Sequence, residues 1–386
     1  MEVIVIQNIE SVEKSSCTGC GVCANACTSI TMRADEEGFL YPAVNRATCS
    51  DCGNCVACCP VICPPPLPEK QKDHQVYAAW SLDEKVRYNS TSGGVFTELA
   101  KVILQHNGYV VGARYNDNHL VEHTMITRIE DIATLRQSKY VQSETKNIYM
   151  KVEEALQTKK PVLFVGTPCQ CVGLKTFLQK SYENLIICDF ICRGVNSPKV
   201  YLKYLKELEE KYGSRIKQVW FKNKTYGWNK FCTKIIFEDG QEYLGGRDTD
   251  PFMYGYIKQD LNLYMRPSCG HCKFKGERRP VDITLGDFWG VNLHESNRST
   301  DYGVSVVIVA TPKGRHYLEL CEEVLYLEKH VIQEVIPYNK CIIESAENSL
   351  DLKKEFHSLI NNCKLKDAID EIKQKNWGEN GNHHIK

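Results

Sequence analysis

The sequence predicts two unlike parts: a small cysteine-rich α+β module over residues 1–63, and behind it an α/β domain with a mixed sheet. Three observations carry this. Half of the 20 cysteines lie before Pro64. Pro64, Pro65, Pro66 and Pro68 then open a stiff, polar stretch, 64–75, that reads as a linker. From Val76 onward, apolar runs of strand length alternate with runs of helical period.

Within the first part, Ile30–Met32 and Phe39–Tyr41 are short apolar segments set between cysteine runs. Beyond the linker, Val76–Leu82 reads as a strand, and Val95, Phe96, Leu99, Val102 and Ile103 share one helix face. Tyr109–Tyr115 is a second strand. Asn147–Lys159 reads as helix, Pro161–Val165 as a buried strand, Val172–Lys180 as helix, and Leu185–Ile191 as strand. Pro198–Tyr212 is an amphipathic helix, and Trp220 to Tyr243 reads as strands with a turn at Asp239-Gly240. Strands follow at Val281–Leu285 and Val304–Ala310. The domain divides into 76–155 and 156–312, with a helical C-terminal extension over 313–386 whose last ten residues are polar.

Composition narrows the function. Lysine plus arginine equal aspartate plus glutamate at 48 each, so no global field draws nucleic acid or an anionic membrane. No apolar run reaches the roughly 18–20 residues that span a bilayer. Met1–Ile9 lacks a basic start, with Glu2 where a cation would stand, so no export signal is expected and a cytoplasmic location follows. In a reducing compartment, cysteines serve metals better than disulfides.

The spacing is specific. Cys17-x2-Cys20-x2-Cys23-x3-Cys27 is followed by Cys49-x2-Cys52-x2-Cys55-x3-Cys59-Pro60. Such paired runs build two 4Fe–4S clusters in an α+β ferredoxin-like module, the fourth cysteine of each run closing the other cluster. That assigns Cys17, Cys20, Cys23 and Cys59 to one cluster and Cys49, Cys52, Cys55 and Cys27 to the other. Cys58, spaced x2 from Cys55, competes with the proline-adjacent Cys59. Structural zinc also takes Cys-x2-Cys pairs, but it needs only four ligands.

In the larger domain, Cys169 and Cys192 each follow an apolar strand, where α/β sheets bind ligands, and Cys269-x2-Cys272 adds a pair. Four thiols are thereby available for a third 4Fe–4S cluster. Cys169 as a nucleophile and Cys192 as a small core residue are the alternatives. Ser92-Gly93-Gly94 at a helix start is a candidate phosphate cradle, with Lys139, Ser138 and Ser143 as further diphosphate contacts. Thr167 and Gln170 flank Cys169 with side chains able to hydrogen-bond a bound group. Asp287 reads as a turn residue or a polar group near the bound cofactor, His271 as a neighbour of ligands, and Lys273, Lys275, Arg278 and Arg279 as a solvated loop or a seat for an anionic substrate or an acidic partner.

Five segments occur in order: Thr91-Ser-Gly-Gly-Val-Phe-Thr97, Ser138-Lys-Tyr-Val-Gln-Ser143, Gly166-Thr-Pro-Cys-Gln170, Ile191-Cys-Arg-Gly-Val195, and Cys269-Gly-His-Cys272 with Gly286-Asp-Phe-Trp-Gly290. From about Tyr77 to Ala310 they resemble the coenzyme F-420 hydrogenase/dehydrogenase beta-subunit family, in which a ferredoxin module commonly precedes this domain. The resemblance implies the third cluster and a bound FAD, for which Thr167 and Gln170 are candidate contacts. It also implies a flavin-dependent oxidoreductase that relays electrons between a redox partner protein or small carrier and an organic two-electron acceptor. An electron-delivery subunit without a substrate of its own is the alternative.

Overall fold

The computed structural model describes residues 8–68, 75–258, 261–294, 298–346 and 349–377. The polar half of the linker, the start of the chain and its polar tail lie outside the described residues. In the cysteine-rich module, Ile30–Ala34 (β1) and Leu40–Val44 (β2) form an antiparallel hairpin, Ile30 opposite Val44. Two short helices, Val22–Ala26 and Asn54–Ala57, carry the third cysteine of each run and start after left-handed Gly21 and Gly53. The runs match in a second left-handed position, Gly19 in one and Asp51 in the other. A Cβ on Gly19 would lie 2.3 Å from Gln142 Nε2 and 2.9 Å from Arg266 Cζ, whereas Asp51 is exposed and tolerates its side chain.

The remaining strands are β3 (Gln75–Ser81), β4 (Tyr109–Tyr115), β5 (Val121–Ile126), β6 (Ser143–Glu144), β7 (Val162–Gly166), β8 (Leu185–Phe190), β9 (Ile216–Asn223), β10 (Cys232–Phe237), β11 (Glu242–Gly246), β12 (Ile283–Asp287), β13 (Ser305–Val309) and β14 (Leu325–His330). Nine of them make one mixed sheet in the order β14-β3-β13-β12-β8-β7-β4-β5-β6, and β9–β11 make a separate antiparallel sheet. Strands β4, β7, β8 and β12 run parallel, so Tyr115, Gly166, Phe190 and Asp287 end on one edge. The fold class agrees with the sequence reading. The C-terminal extension is not wholly helical, however: Leu325–His330 pairs with β3 along the sheet.

One sheet face packs helix Val95–Gln105 through Leu99 and Ile103; the other packs helices Ile148–Gln157 and Pro168–Leu178 through Val152 and Leu174. Cys20, Val22 and Cys58 of the module join this second core. At its far end, the β1–β2 turn is gripped from across the domain. Lys353 Nζ, only 4% exposed, pairs with Glu37, and Lys199 Nζ reaches the Glu36 carbonyl at 2.9 Å. Among the described residues no helix is long and apolar enough to cross a membrane.

Candidate redox site

The second cysteine run closes around a cavity. Cys27, Cys49, Cys52 and Cys55 line it, with Asn8, Ile30, Val44 and Asp51 in the wall. Cys52 faces solvent, and the Asn54 N–H and the Ser50 hydroxyl hold its thiol below the usual range. Burial pushes Cys55 up, and the charge of nearby Cys27 adds to that. Four thiols around one cavity suit a 4Fe–4S cluster by donor chemistry.

The other set lies deeper. Cys20, Cys23 and Cys59 are buried, and burial is the first cause that drives their thiols upward. Cys20 also feels Cys169, Cys59 and Cys17, while Cys59 feels Cys17, so these thiols are close neighbours. Cys58 is pushed up to about 12 by burial and lies outside the wall of the first cavity, its Sγ 3.5 Å from the Cys55 carbonyl.

Cys169 sits in the first turn of helix Pro168–Leu178, directly after β7. Cys192 follows β8, Cys269 lies in the short helix Pro267–His271, and Cys272 ends it. Burial pushes Cys169 up to about 12, with Cys272 and Cys269 adding to the rise. Cys192 is driven well above its usual range by burial, with Cys269, Cys169 and Cys272 contributing and Lys275 opposing. Cys169 feels Cys272 and Cys269, Cys192 feels all three others, and Cys269 feels Cys272, which places the four near one another. Protonated buried thiols of this kind give up their protons when a metal binds.

The second and third groups adjoin. A Cβ on Gly173, in the helix that carries Cys169, would stand 3.5 Å from Cys20 Sγ. Cys171 and Cys188 are fully buried in the cores on opposite faces of the sheet.

The residues expected to hold flavin split. Thr91 Oγ1 accepts from the Ser138 N–H at 2.8 Å, which brings the Ser-Gly-Gly and Ser-Lys-Tyr segments side by side. Ser92 Oγ donates to the Val304 carbonyl, and the Gly93 N–H to Ser305 Oγ. Gly94, at φ 92, opens helix Val95–Gln105 with no side-chain cap, and Arg136 Nε donates to Thr97 Oγ1 on its first turn. An uncapped helix start with a guanidinium beside it suits a diphosphate. Lys139 serves elsewhere: its Nζ donates to the Arg136 and Gln137 carbonyls, closing helix Ile132–Leu135, and burial lowers it to about 7. Ser143 Oγ lies 2.7 Å from His123 Nδ1, and Thr167 with Gln170 form a capping box at the start of helix Pro168–Leu178. Thr167 Oγ1 is also 3.1 Å from Cys169 Sγ.

The model for the beta-subunit N-terminal part of coenzyme F-420 hydrogenase/dehydrogenase matches residues 76–149, and the model for its C-terminal part matches 159–335. The chain belongs to this beta-subunit family. The cysteine-rich module precedes both matches. A solved chain of the F-420-reducing NiFe hydrogenase complex from Methanosarcina barkeri, in a xenon-derivatised form, is 18% identical over 81% of this chain and 94% of its own, with a TM-score of 0.46. No curated protein matches. Family membership establishes a redox role of the hydrogenase/dehydrogenase beta-subunit type.

Several residues of this beta-subunit domain escaped the sequence reading. Asp287 is not a turn residue but the last of β12; it accepts from Lys222 Nζ at 2.7 Å and from Trp228 Nε1 at 3.1 Å. The pair is little exposed, and Lys222 Nζ stands 4.9 Å from the Trp289 ring centre. Lys222 gets there through a bulge: β9 places two residues, one of them Lys222 at φ 52, opposite Thr233 of β10. Lys224 Nζ donates to the Ser92 carbonyl at 2.6 Å, which ties this wall to the Ser-Gly-Gly loop. Of the basic cluster, Arg279 pairs with buried Asp189 and Lys275 Nζ donates to the Cys192 and Cys341 carbonyls; Lys273 and Arg278 face solvent. His271 turns away from the thiols to the Ser15 carbonyl. His294, Glu328 and His330 also hold ligand atoms within 4.8 Å of one another, but both His330 nitrogens are taken up by hydrogen bonds to the Glu328 and Glu334 carboxylates.

Proposed function

We propose that this beta-subunit is an iron–sulfur flavoprotein oxidoreductase that moves electrons between a one-electron carrier and an organic two-electron acceptor. The observation that supports it most is that Cys20, in the first cysteine run, lies against the helix that bears Cys169, while Cys27, Cys49, Cys52 and Cys55 line a separate cavity. When bound, 4Fe–4S clusters supply one-electron steps and FAD converts them to a two-electron transfer.

In this reading Cys27, Cys49, Cys52 and Cys55 hold the outermost cluster, whose corner at Cys52 faces an external redox partner. Cys17, Cys20, Cys23 and Cys59 hold the inner one, and Cys169, Cys192, Cys269 and Cys272 a third. The helix start at Gly94, with Ser92, Gly93, Ser138 and Arg136 around it, seats the FAD diphosphate; Thr167, Gln170 and Ser143 set its surroundings through the helix cap and His123. Lys139 shapes that loop rather than touching the anion. The Lys222–Asp287 pair, walled by Trp289, faces the acceptor and excludes water from it.

Anaerobic purification with iron, sulfide and flavin counted per chain tests this. The expected result is about twelve iron, twelve sulfide and one flavin. Iron without flavin leaves the electron-delivery reading in place. A chain free of iron and acid-labile sulfide after reconstitution ends both.

A further inference from the structure

Lys224 directly follows β9 and is only 3% exposed. Its Nζ donates to main-chain carbonyls of three separate segments: Arg87 at 2.8 Å, Ser92 at 2.6 Å and Tyr302 at 2.6 Å. Arg87 lies in the helix Glu84–Tyr88, Ser92 in the Ser-Gly-Gly loop, and Tyr302 in the turn ahead of β13. An ammonium has three donors, so all are in use.

Neighbouring groups tighten the same junction. Arg87 Nε donates to the Gly303 carbonyl at 2.9 Å, and its guanidinium lies 4.4 Å from the Trp80 ring centre. A Cβ on Gly303, at φ 92, would stand 2.9 Å from the Ser92 oxygen and 3.1 Å from Lys224 Nζ. Backbone packs against backbone here, and the ammonium draws the three oxygens together.

The hydrogen bonds of Lys224 are satisfied, but its charge is not. Among the described residues no carboxylate forms an ion pair with it. Asp287 lies near enough to act on it but is taken up by Lys222 Nζ and Trp228 Nε1. Carbonyl dipoles solvate a buried cation without neutralising it, and in a dry interior a nearby anion is worth more than in water. Burial accordingly lowers Lys224 to about 7. Ser92, whose oxygen it holds, stands two residues before Gly94, where helix Val95–Gln105 opens with no side-chain cap. The positive end of that helix and the ammonium therefore meet on one short loop.

We propose that Lys224 is a positioning residue for the diphosphate seat at Ser92–Gly94, holding the loop in shape through three carbonyls and supplying a buried charge that the bound diphosphate matches. This rests on the reading that the helix start at Gly94 seats FAD.

The test uses the full-length, anaerobically loaded protein with its flavin removed by dialysis, titrated with FAD, riboflavin and inorganic pyrophosphate. K224M and K224Q both remove the charge, and K224Q keeps an amide donor. With iron counted first, each variant is expected to weaken FAD and pyrophosphate about tenfold and to leave riboflavin, which has no phosphate, within about twofold. FAD binding unchanged from wild type in a variant with full iron overturns the proposal. So does an equal loss for FAD and riboflavin, which a merely structural lysine would give. If neither variant keeps its iron, hydrogen exchange of the wild type decides. FAD that slows exchange at 300–303 together with 93–97, where riboflavin does not, supports the proposal; slowing confined to 93–97 overturns it. Wild-type protein that binds no FAD, or binds it without competition from pyrophosphate, instead refutes the diphosphate seat itself, and the proposal falls with it.

Discussion

The Tyr149 hydroxyl donates to the carbonyl oxygen of Cys20 at 2.8 Å, and Thr145 Oγ1 reaches the same oxygen at 3.0 Å. One buried carbonyl of the cysteine-rich module is thus satisfied twice by the larger domain. Removing one donor with Y149F is expected to cost about 1 kcal/mol. Y149F/T145V, which leaves the oxygen without either partner, is expected to cost more than the sum of the single changes. Urea unfolding of the anaerobic protein measures both; additive losses would argue that the two hydroxyls act independently of this shared acceptor.

Cys58 and Cys59 are adjacent in sequence yet differ in setting. Cys59 acts on Cys20 and feels Cys17, whereas Cys58 packs beside Cys20 and Val22 and donates toward the Cys55 carbonyl. C59A is expected to remove one cluster's share of iron and sulfide, and C58A to leave both at wild-type level. Metal counting on the two variants is enough, and the reverse pattern would exchange their roles.

Lys222 and Asp287 form a pair with side chains 13% and 11% exposed. Among the described residues K222M leaves the carboxylate only Trp228 Nε1 as a hydrogen-bond partner, and it is expected to destabilise the domain by about 3–5 kcal/mol. K222M/D287L removes both charges and is expected to recover much of that loss. Equal unfolding free energies for the single and double variants would show that the pair is not coupled.

His123 is buried against Phe164, and burial lowers its imidazole to about 4. The unfolded chain therefore takes up the proton first, near the ordinary value of about 6.5. Its contribution is complete at neutral pH and is lost as pH falls through that window toward 4. Relative to H123F, wild-type stability is expected to fall by about 2 kcal/mol between pH 7 and pH 5. Parallel stability curves for the two proteins would rule out a neutral buried imidazole.

Much of this was legible in the sequence because it is local. The Cys-x2-Cys-x2-Cys-x3-Cys runs are a spacing code, and strands such as Tyr109–Tyr115 announce themselves by apolar residues that a buried sheet requires. What stayed hidden depends on distant partners. Leu325–His330 carries Glu328 and Lys329 and becomes a strand only by pairing with β3 at the sheet edge. Lys222 is aimed by a bulge that its own residues do not signal. Lys139 looked like an anion's partner because a lysine in a polar loop says nothing of the three-dimensional position of carbonyls at Arg136 and Gln137. Arg266 stands beside Pro267 with no periodicity around it, and its partner, the Cys17 carbonyl, is far away in the chain.

Glu37 and Lys353 meet across almost the whole polypeptide. On the ribosome the hairpin emerges long before the helix Leu350–Leu359 that clasps it, so the turn first meets water where it will later meet an ammonium group. The hairpin can pair with itself early, but its turn is fully fastened to the larger domain only once the Leu350–Leu359 segment has been made.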